Sequence, residues 1–259
     1  MRGKTLNDQR PTSLLFGKLR DPNIKALAAH FDLFVDQEDE LQWDLQTDTL
    51  TVNGRRVLFL RFFGRADTFG PSTDQMSANY FLMRNYLLAH PEIRCHNRGY
   101  ERDTPTKAAN LILARSIGLQ IPRTLIGTKA ELDDSIVKPL TGGHYVVQGA
   151  SARYAAIIQQ RIHGINRRLF VVGEHSFGFE IRTAELDYRQ DAAVELRQCE
   201  FSRELVEQAF ELASRLRLSY AALDFVDQYF LEINTMPMFA AFDQLIDGQI
   251  ARAIRYALE

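Results

Sequence analysis

Residues 221–234 read Ala-Ala-Leu-Asp-Phe-Val-Asp-Gln-Tyr-Phe-Leu-Glu-Ile-Asn, and the rest of the chain is best interpreted outward from them. Both halves of this stretch are rich in aromatic and aliphatic residues, and strand formers predominate. A short polar segment around Asp227 and Gln228 separates the two halves. The pattern predicts a β-hairpin with strands at 221–226 and 229–234.

The polar side chains of this hairpin are the first candidates for a functional site. Because side chains alternate along a strand, Phe230, Glu232 and Asn234 are expected on one face. If the loop has three residues, 227–229, Asp224 lies across from Glu232, with Cβ atoms roughly 5 Å apart. Two carboxylates among apolar neighbours repel each other unless a cation binds. Mg²⁺ takes such oxygen ligands together with substrate phosphates; a solvated strand face is the alternative.

Composition restricts the class of protein. The chain has 259 residues, 46% of them hydrophobic, and a formal net charge of −2. This length allows one large domain or two small ones. With no net positive charge, neither nucleic acid nor an anionic membrane is favoured as a partner. No apolar run reaches the roughly 20 residues that a membrane helix needs.

The expected compartment follows from the N-terminus and the cysteines. The first 11 residues are polar and lack the apolar core of a signal peptide. The two cysteines, Cys95 and Cys199, are far apart in the sequence and form neither a CxxC motif nor a disulfide framework. We therefore expect a cytoplasmic, reducing setting.

The part of the chain before residue 100 is predicted to be a small α/β unit. Apolar runs, helix-start residues and turn residues mark its elements. They are a buried strand at 13–16, a helix starting at Asp21-Pro22, a hairpin with strands 50–52 and 57–60 around Asn53-Gly54, and a helix at 75–90.

The following part is predicted to be richer in antiparallel strands. Its strands are expected at 135–138, 144–147, 168–172 and 177–182, in addition to the hairpin described above. Its helices are expected from Thr104 to about Gly118, over 151–157, from a cap at Ser202 to about Leu216, and over 242–258. The order of elements is α/β followed by α+β, without a regular βαβ repeat.

Two lysines are candidate phosphate ligands. Lys138 ends an apolar strand directly before Pro139 and a Gly142-Gly143 turn. A lysine at such a place can reach a phosphate, and the glycines let backbone N–H groups approach it. The same residues also fit an ordinary hairpin turn. Lys107 lies in the first turn of its helix, and its local pattern favours a solvated lysine.

Taken in order, these segments resemble the ATP-grasp superfamily, and within it the ligases that include ribosomal-protein glutamate ligases and microviridin-type peptide maturases. The resemblance covers the chain from Lys107 onward, fits 61–107 more loosely, and fits the first 60 residues as a short pre-grasp unit. Six motifs support it: the helix at Lys107 with Gly118-Leu-Gln-Ile-Pro-Arg-Thr124, Ile136-Val-Lys-Pro-Leu140, Ile158-Gln-Gln-Arg-Ile162, Arg168-Leu-Phe-Val-Val-Gly173, Asp187-Tyr-Arg189, and Asp224 with Leu231-Glu-Ile-Asn234.

The resemblance implies a fold and a domain organisation. The fold would be an ATP-grasp fold of mixed α/β and α+β class, with a short N-terminal pre-grasp unit and a reduced lid. The pre-ATP-grasp unit would span 1–100 and the ATP-grasp domain 101–259, with the small lid at about 136–160. Arg161 stands where relatives usually carry a glutamate, and the loop after Lys138 is short.

The resemblance also assigns roles to residues. Each role is carried over only to a position that matches a family motif. Lys107 and Lys138 would contact the nucleotide phosphates; Gln160, Arg161 and Ile162 would line the adenine, largely by backbone; Arg168 and Arg189 would hold the acyl-phosphate or the acceptor; and Asp224, Glu232 and Asn234 would bind the Mg²⁺ that bridges the phosphates of ATP.

The implied activity is ATP-dependent ligation. A carboxylate on a peptide or small molecule would attack the γ-phosphate of ATP, and an amine or hydroxyl would take the resulting acyl-phosphate. ADP and phosphate would be released. The protein could act as a homo-oligomer. Two alternatives remain: a nucleotide-binding partner or regulatory protein without turnover, which Arg161 and the short lid favour, and a phosphotransferase on the same fold.

Overall fold

The computed structural model describes residues 12–65, 74–98, 107–140, 147–183 and 193–259. The described residues divide into two compact units. The first unit comprises those before Gly99 together with Met238–Glu259, and the second comprises those from Tyr100 to Pro237. The domain boundaries 1–100 and 101–259 stay a prediction, and residues 238–259 pack with the first unit.

The described elements up to Cys95 are mainly short strands, with one helix after the first strand and another before the last. They are β1 (Ser13–Gly17), α1 (Pro22–Leu27) with a 3₁₀ turn at Ala28–His30, β2 (Leu33–Asp36), β3 (Leu41–Asp44), β4 (Thr49–Val52), β5 (Arg55–Arg56), β6 (Arg61–Gly64), α2 (Asp74–Ala89) and β7 (Arg94–Cys95).

The later described elements are mainly long antiparallel strands. They are α3 (Lys107–Ser116), β8 (Thr124–Lys129), β9 (Ser135–Lys138), β10 (Val147–Gln148), β11 (Ser151–Gln160), β12 (Asn166–Val172), β13 (His175–Arg182), β14 (Glu195–Gln198), α4 (Arg203–Arg215), β15 (Tyr220–Val226), β16 (Tyr229–Asn234), α5 (Ala240–Gln244) and α6 (Gln249–Tyr256). The predicted mixed α/β and α+β class is confirmed.

The first unit is built on a parallel sheet with strand order β2-β1-β6-β7. The strands of a small antiparallel sheet, in the order β3-β4-β5, come between β2 and β6 in the sequence. Asn53 and Gly54 both adopt positive φ angles, +49° and +72°, as a two-residue hairpin turn requires. The hairpin predicted there is present, but its second strand is Arg55–Arg56 instead of 57–60.

The helix predicted over 242–258 is wrong as a single element. Asp247 and Gly248 have left-handed φ angles of +52° and +78°. These two residues lie between α5 and α6 and keep them from forming one continuous helix. The buried carboxylate of Asp243 accepts a hydrogen bond from the N–H of Ile250 at 2.7 Å, so it caps the new helix. Apolar periodicity continues through the break, which is why the sequence pattern predicted one helix.

The second unit contains two antiparallel sheets. Their strand orders are β10-β9-β11-β8 and β14-β13-β12-β15-β16, and we name them the four-stranded and the five-stranded sheet. The helix predicted over 151–157 is wrong, because Ser151–Gln160 forms a central strand paired with both β8 and β9. Pairing on two sides buries Ile157 and Ile158 and overrides the local helix preference of the preceding segment.

One face of the five-stranded sheet is covered by helices α3 and α4. Leu111 of α3 and Leu212 of α4 are buried in the same apolar cluster as Leu169 and Leu223 of the sheet. Because neighbouring residues on a strand face opposite sides, Arg168 and Asp224 lie on the other face. The helices therefore anchor the sheet from one side and leave the polar residues on the other. None of the helices in the described ranges is long and apolar enough to cross a membrane.

Candidate functional site

The predicted hairpin of β15 and β16 is confirmed, and it holds Asp224 opposite Glu232. The loop between the strands has two residues instead of three, since Val226 pairs with Tyr229. The register then shifts by one residue, and Leu231 is the extra residue of a β-bulge. The carboxylate pair is thus formed as predicted, but the bulge replaces the third loop residue that was expected to align it.

The bulge also changes which residues share a face. The prediction that Phe230 lies on the face of Glu232 and Asn234 is wrong. Phe230 is fully buried in the core beneath α3 and α4, and its ring centroid lies 5.9 Å from that of Phe225. One extra residue between 230 and 232 sends these two side chains to opposite faces. The site face therefore carries the polar residues without the phenyl ring.

Arg168 binds Asp224 through two nitrogen atoms of its guanidinium group. The two residues are direct partners on β12 and β15. Nε of Arg168 lies 2.6 Å from Oδ1 of Asp224, and Nη2 lies 2.8 Å from Oδ2. Nδ2 of Asn234 donates a further hydrogen bond to Oδ2 at 2.8 Å. These three bonds fix the orientation of the carboxylate.

The charges around Asp224 act in opposite directions on its pKa. Burial raises the pKa of the Asp224 carboxyl, and the neighbouring negative charge of Glu232 adds to this effect. The guanidinium of Arg168 and the hydrogen bond from Asn234 lower the pKa. A cation placed between the two carboxylates would remove the repulsion that now contributes to the raised pKa.

The oxygen donors of this cluster fit a divalent cation. Glu232 is half-buried, and within the described ranges its carboxylate makes no hydrogen bond or ion pair. Asp224 already accepts three of the roughly four hydrogen bonds that a carboxylate can accept, so one acceptor position remains. Asn234 adds an amide oxygen. Two carboxylates and an amide oxygen are donors that Mg²⁺ accepts, with water and phosphate completing its shell.

Lys138 lies on the four-stranded sheet, at the end of β9. Its side chain is buried, and its Nζ lies 2.9 Å from Oε1 of Gln159, which is fully buried. Gln160 is among the predicted nucleotide ligands, whereas Gln159 is not. The adjacent residue Gln160 lies on the opposite face of the strand and is exposed. Interpreting 151–160 as a strand would have assigned the two glutamines to opposite faces, whereas the predicted helix ended at 157 and left them unassigned.

The other predicted nucleotide ligands lie at the ends of elements. The N–H of Gln160 donates to the carbonyl of Arg123 at 2.8 Å, and that of Arg161 donates to Asp134 at 3.0 Å. Ile162 follows directly and is half-buried. Lys107 is the first described residue of α3.

The structure thus brings four of the predicted residues into one cluster, which we name the carboxylate cluster. It consists of Arg168, Asp224, Glu232 and Asn234. Lys138 and the segment 160–162 lie along the four-stranded sheet. Arg189, the Asp187-Tyr-Arg189 motif and the Gly142-Gly143 turn lie outside the described residues. The functional roles of all these residues stay predictions.

Several solved structures of ATP-grasp ligases share this fold, which confirms the predicted resemblance in fold. The ATP-grasp ligase PsnB, complexed with a minimal precursor, superposes with a TM-score of 0.76 at 20% identity, over 96% of this chain and 100% of that chain. A RiPP-associated ATP-grasp ligase from Chryseobacterium gregarium, in complex with ADP and a leader and core peptide, gives 0.71 at 19% identity, over 95% and 96%. D-alanine--D-alanine ligase from Bacillus anthracis gives 0.57 at 17% identity, over 96% and 99%.

The class that these superpositions define is the ATP-grasp ligase fold, and the chain has this fold over nearly its whole length. Within the class, PsnB and the Chryseobacterium gregarium ligase give higher TM-scores than D-alanine--D-alanine ligase. No protein-family model matches the sequence, and no curated protein sequence matches it either.

Proposed function

We propose that this protein is an ATP-dependent ligase that joins a carboxylate to an amine or a hydroxyl through an acyl-phosphate. The observation that carries the proposal is the carboxylate cluster, in which Arg168 and Asn234 orient Asp224 directly opposite Glu232. In the ATP-grasp fold such a cluster supplies the oxygen donors that a nucleotide-bound divalent cation needs. Two carboxylates opposite each other on a partly buried strand face repel each other unless a cation binds between them.

The proposed Mg²⁺ ligands lie on the five-stranded sheet, and the proposed phosphate ligand Lys138 lies on the four-stranded sheet. Glu232, Asn234 and the remaining acceptor position of Asp224 would hold Mg²⁺, which when bound neutralises charge on the phosphates of ATP. Lys138 and Lys107 would bind phosphate oxygens. The backbone of 160–162 would lie at the adenine. Arg168 keeps Asp224 in place, and with Arg189 it would also hold the acyl-phosphate or the acceptor.

The proposed reaction has two steps, a phosphoryl transfer and an acyl transfer. An oxygen of the substrate carboxylate forms a bond to the γ-phosphorus of ATP, and the bond to the bridging oxygen of ADP breaks. The acceptor nitrogen or oxygen then attacks the acyl carbon. The acceptor loses its proton, and phosphate departs with the electron pair of the broken C–O bond. Cationic side chains stabilise the charge that develops in both steps.

A peptide is the substrate class that we favour over a small carboxylate. PsnB has been solved with a minimal precursor and with Mg and ADP, and the Chryseobacterium gregarium ligase with a leader and core peptide. The maturase-like Asp187-Tyr-Arg189 motif supports the same class. The acceptor is an amine or a hydroxyl, and the active form could be a homo-oligomer. We place the reaction in the cytoplasm, in line with the free thiols of Cys95 and Cys199.

Calorimetric titration of ATP, with and without Mg²⁺, tests the nucleotide site. Glu232→Gln keeps the shape of the side chain and removes its charge, so we expect it to weaken Mg²⁺-dependent binding by about tenfold or more. Glu204→Gln, at an exposed position of α4, is the matched control and should bind like the wild type. If the wild type binds no ATP in either condition, the ligase proposal fails for this chain.

Turnover separates ligation from the two alternatives. Peptide and small-carboxylate mixtures would be incubated with the protein and MgATP, followed by measurement of ADP and mass spectrometry of products. A product that has lost one water per ligation supports the ligase. Phosphorylated product without condensation supports a phosphotransferase. Tight MgATP binding without ADP release supports a regulatory protein, which the Arg161 position at the predicted hinge also favours.

A further inference from the structure

A chain of hydrogen bonds crosses three strands of the four-stranded sheet and ends at Lys138. Nζ of Lys138 donates to Oε1 of Gln159 at 2.9 Å. Nε2 of Gln159 donates to Oγ1 of Thr124 at 2.9 Å. The hydroxyl of Thr124 donates in turn to the carbonyl of Pro122 at 2.8 Å. We name this series the Lys138 relay.

The direction of the relay is fixed by what each group can donate. A lysine ammonium has donors only, so Gln159 must present its amide oxygen to Lys138. The amide nitrogen is then directed to Thr124. A hydroxyl has one hydrogen, which Thr124 gives to Pro122, so the hydroxyl oxygen is available as an acceptor. Every group in the series has a single assignment, and the backbone carbonyl at its end cannot rotate away.

The sheet makes the relay rigid. Gln159 lies on the central strand β11, directly opposite Thr124 on β8. On the other side Gln159 pairs with Ile136, so Lys138 is its diagonal neighbour on β9. Gln159 is fully buried and Lys138 is 8% exposed, so few other rotamers are open to either side chain.

The chemistry of Gln159 suits a lysine that must bind an anion. A neutral amide oxygen satisfies one ammonium hydrogen and leaves the positive charge of Lys138 intact. A carboxylate at the same place would cancel that charge. Resting on the proposed function, we propose that Gln159, held by Thr124, is a positioning residue that aims the Lys138 ammonium at a phosphate of the bound nucleotide.

A double-mutant cycle on MgATP affinity tests whether Gln159 acts through Lys138. Gln159→Met keeps the length of the side chain and removes the acceptor, and we expect it to weaken binding about tenfold, as for loss of a hydrogen bond to a charged group. In a Lys138→Met background the same change should have no further effect. Gln198→Glu, on the exposed edge strand β14, should bind like the wild type.

Two further variants test the relay without touching Gln159 itself. Thr124→Val has nearly the same shape and lacks the hydroxyl, so it should weaken MgATP binding in the same direction as Gln159→Met. Thr124→Ser, which restores the hydroxyl, should recover most of the affinity.

Gln159→Glu should also bind more weakly, because it supplies an acceptor but cancels the charge of Lys138.

The outcomes separate the two proposals. If the wild type binds no MgATP, the proposed function fails and this inference fails with it. If the wild type binds and Gln159→Met weakens binding equally in both backgrounds, Gln159 acts independently of Lys138 and the positioning role is overturned, while the nucleotide site stands. Equal affinity of Thr124→Val and Thr124→Ser would likewise overturn the relay.

Discussion

Arg168 and Asp224 lie directly opposite each other on neighbouring strands, and the guanidinium of Arg168 contacts both carboxylate oxygens of Asp224. Arg168 is almost fully buried, and 17% of the Asp224 side chain is exposed. The pair therefore has a structural effect in addition to any role in catalysis. It holds one carboxylate of the carboxylate cluster in a set orientation, so that orientation does not depend on a bound cation.

Breaking this ion pair should destabilise the fold. Arg168→Met leaves the Asp224 carboxylate without its main partner, and we expect a loss of about 3 kcal/mol in the free energy of unfolding. Urea unfolding measures this loss. Arg203→Met removes the exposed ion pair with Glu207 on α4 and should change the free energy of unfolding far less. A loss in Arg168→Met as small as in this control would contradict the structural role.

The bulge at Leu231 makes a second prediction. Since Phe230 packs in the core beneath α3 and α4, Phe230→Ala should reduce the free energy of unfolding by about 3–4 kcal/mol. Leu231→Ala, at a half-buried position, should cost clearly less. MgATP affinity, measured below the unfolding range, should be unchanged in Phe230→Ala. A variant that keeps its stability and loses MgATP binding would place Phe230 on the site face instead.

Local signals explain which elements could be predicted from the sequence. Ser202 accepts a hydrogen bond from the N–H of Leu205 at 3.3 Å and starts α4, as its position before a helical pattern indicates. Asp21-Pro22 starts α1 in the same way. The hairpin turn at Asn53-Gly54 follows from the ability of those two residues to adopt positive φ angles. Such features were predicted correctly because the interactions that form them lie within a few residues of each other.

The features that were missed depend on residues far apart in the chain. Ser151–Gln160 becomes a strand because β8 and β9 pair with it on both sides. Leu231 is the extra residue because the core beneath α3 and α4 takes Phe230 while Glu232 stays opposite Asp224. Gln159 contacts Lys138 because residues 151–160 form a strand next to β9. Composition and periodicity do not indicate such pairings, whereas strand alternation within one hairpin was enough to predict Asp224 opposite Glu232.

Asn23 connects the N-terminal and C-terminal segments of the first unit by hydrogen bonds. This contact gives a third prediction. Its amide nitrogen donates to Asp21 at 2.7 Å, and its amide oxygen accepts from the N–H groups of Phe239 and Ala240 at 2.7 Å and 3.0 Å. Asn23→Leu keeps the volume and leaves buried N–H groups unsatisfied. We expect it to lower the free energy of unfolding by about 2–3 kcal/mol.

Urea unfolding of Asn23→Leu and of Asn85→Leu measures this effect. Asn85 is exposed on α2, and among the described residues its side chain bonds only to the carbonyl of Phe81, so its replacement should change stability by less than about 0.5 kcal/mol. Equal effects of the two substitutions would show that the contact between Asn23 and the segment at Phe239 does not stabilise the first unit.

His96 gives the first unit a pH dependence. Burial lowers the pKa of its imidazole from 6.5 to about 4, although the hydrogen bond between Nε2 and the carbonyl of Ile254, at 2.8 Å, opposes the shift. The unfolded chain takes up a proton near pH 6.5, and the folded chain does so only near pH 4. The stabilisation from this group is therefore complete above pH 6.5 and decreases as the pH falls toward 4.

We expect His96 to contribute a loss of about 1–2 kcal/mol in the free energy of unfolding between pH 7 and pH 5. Urea unfolding of the wild type and of His96→Gln at both pH values isolates this contribution, because glutamine can donate to the carbonyl of Ile254 and does not titrate. The variant should lose less stability than the wild type over this interval, by that amount. Equal losses in the two proteins would mean that His96 is protonated in the folded state at pH 5, and that the ring is less shielded from water than its contacts with Phe63 and Ile254 indicate.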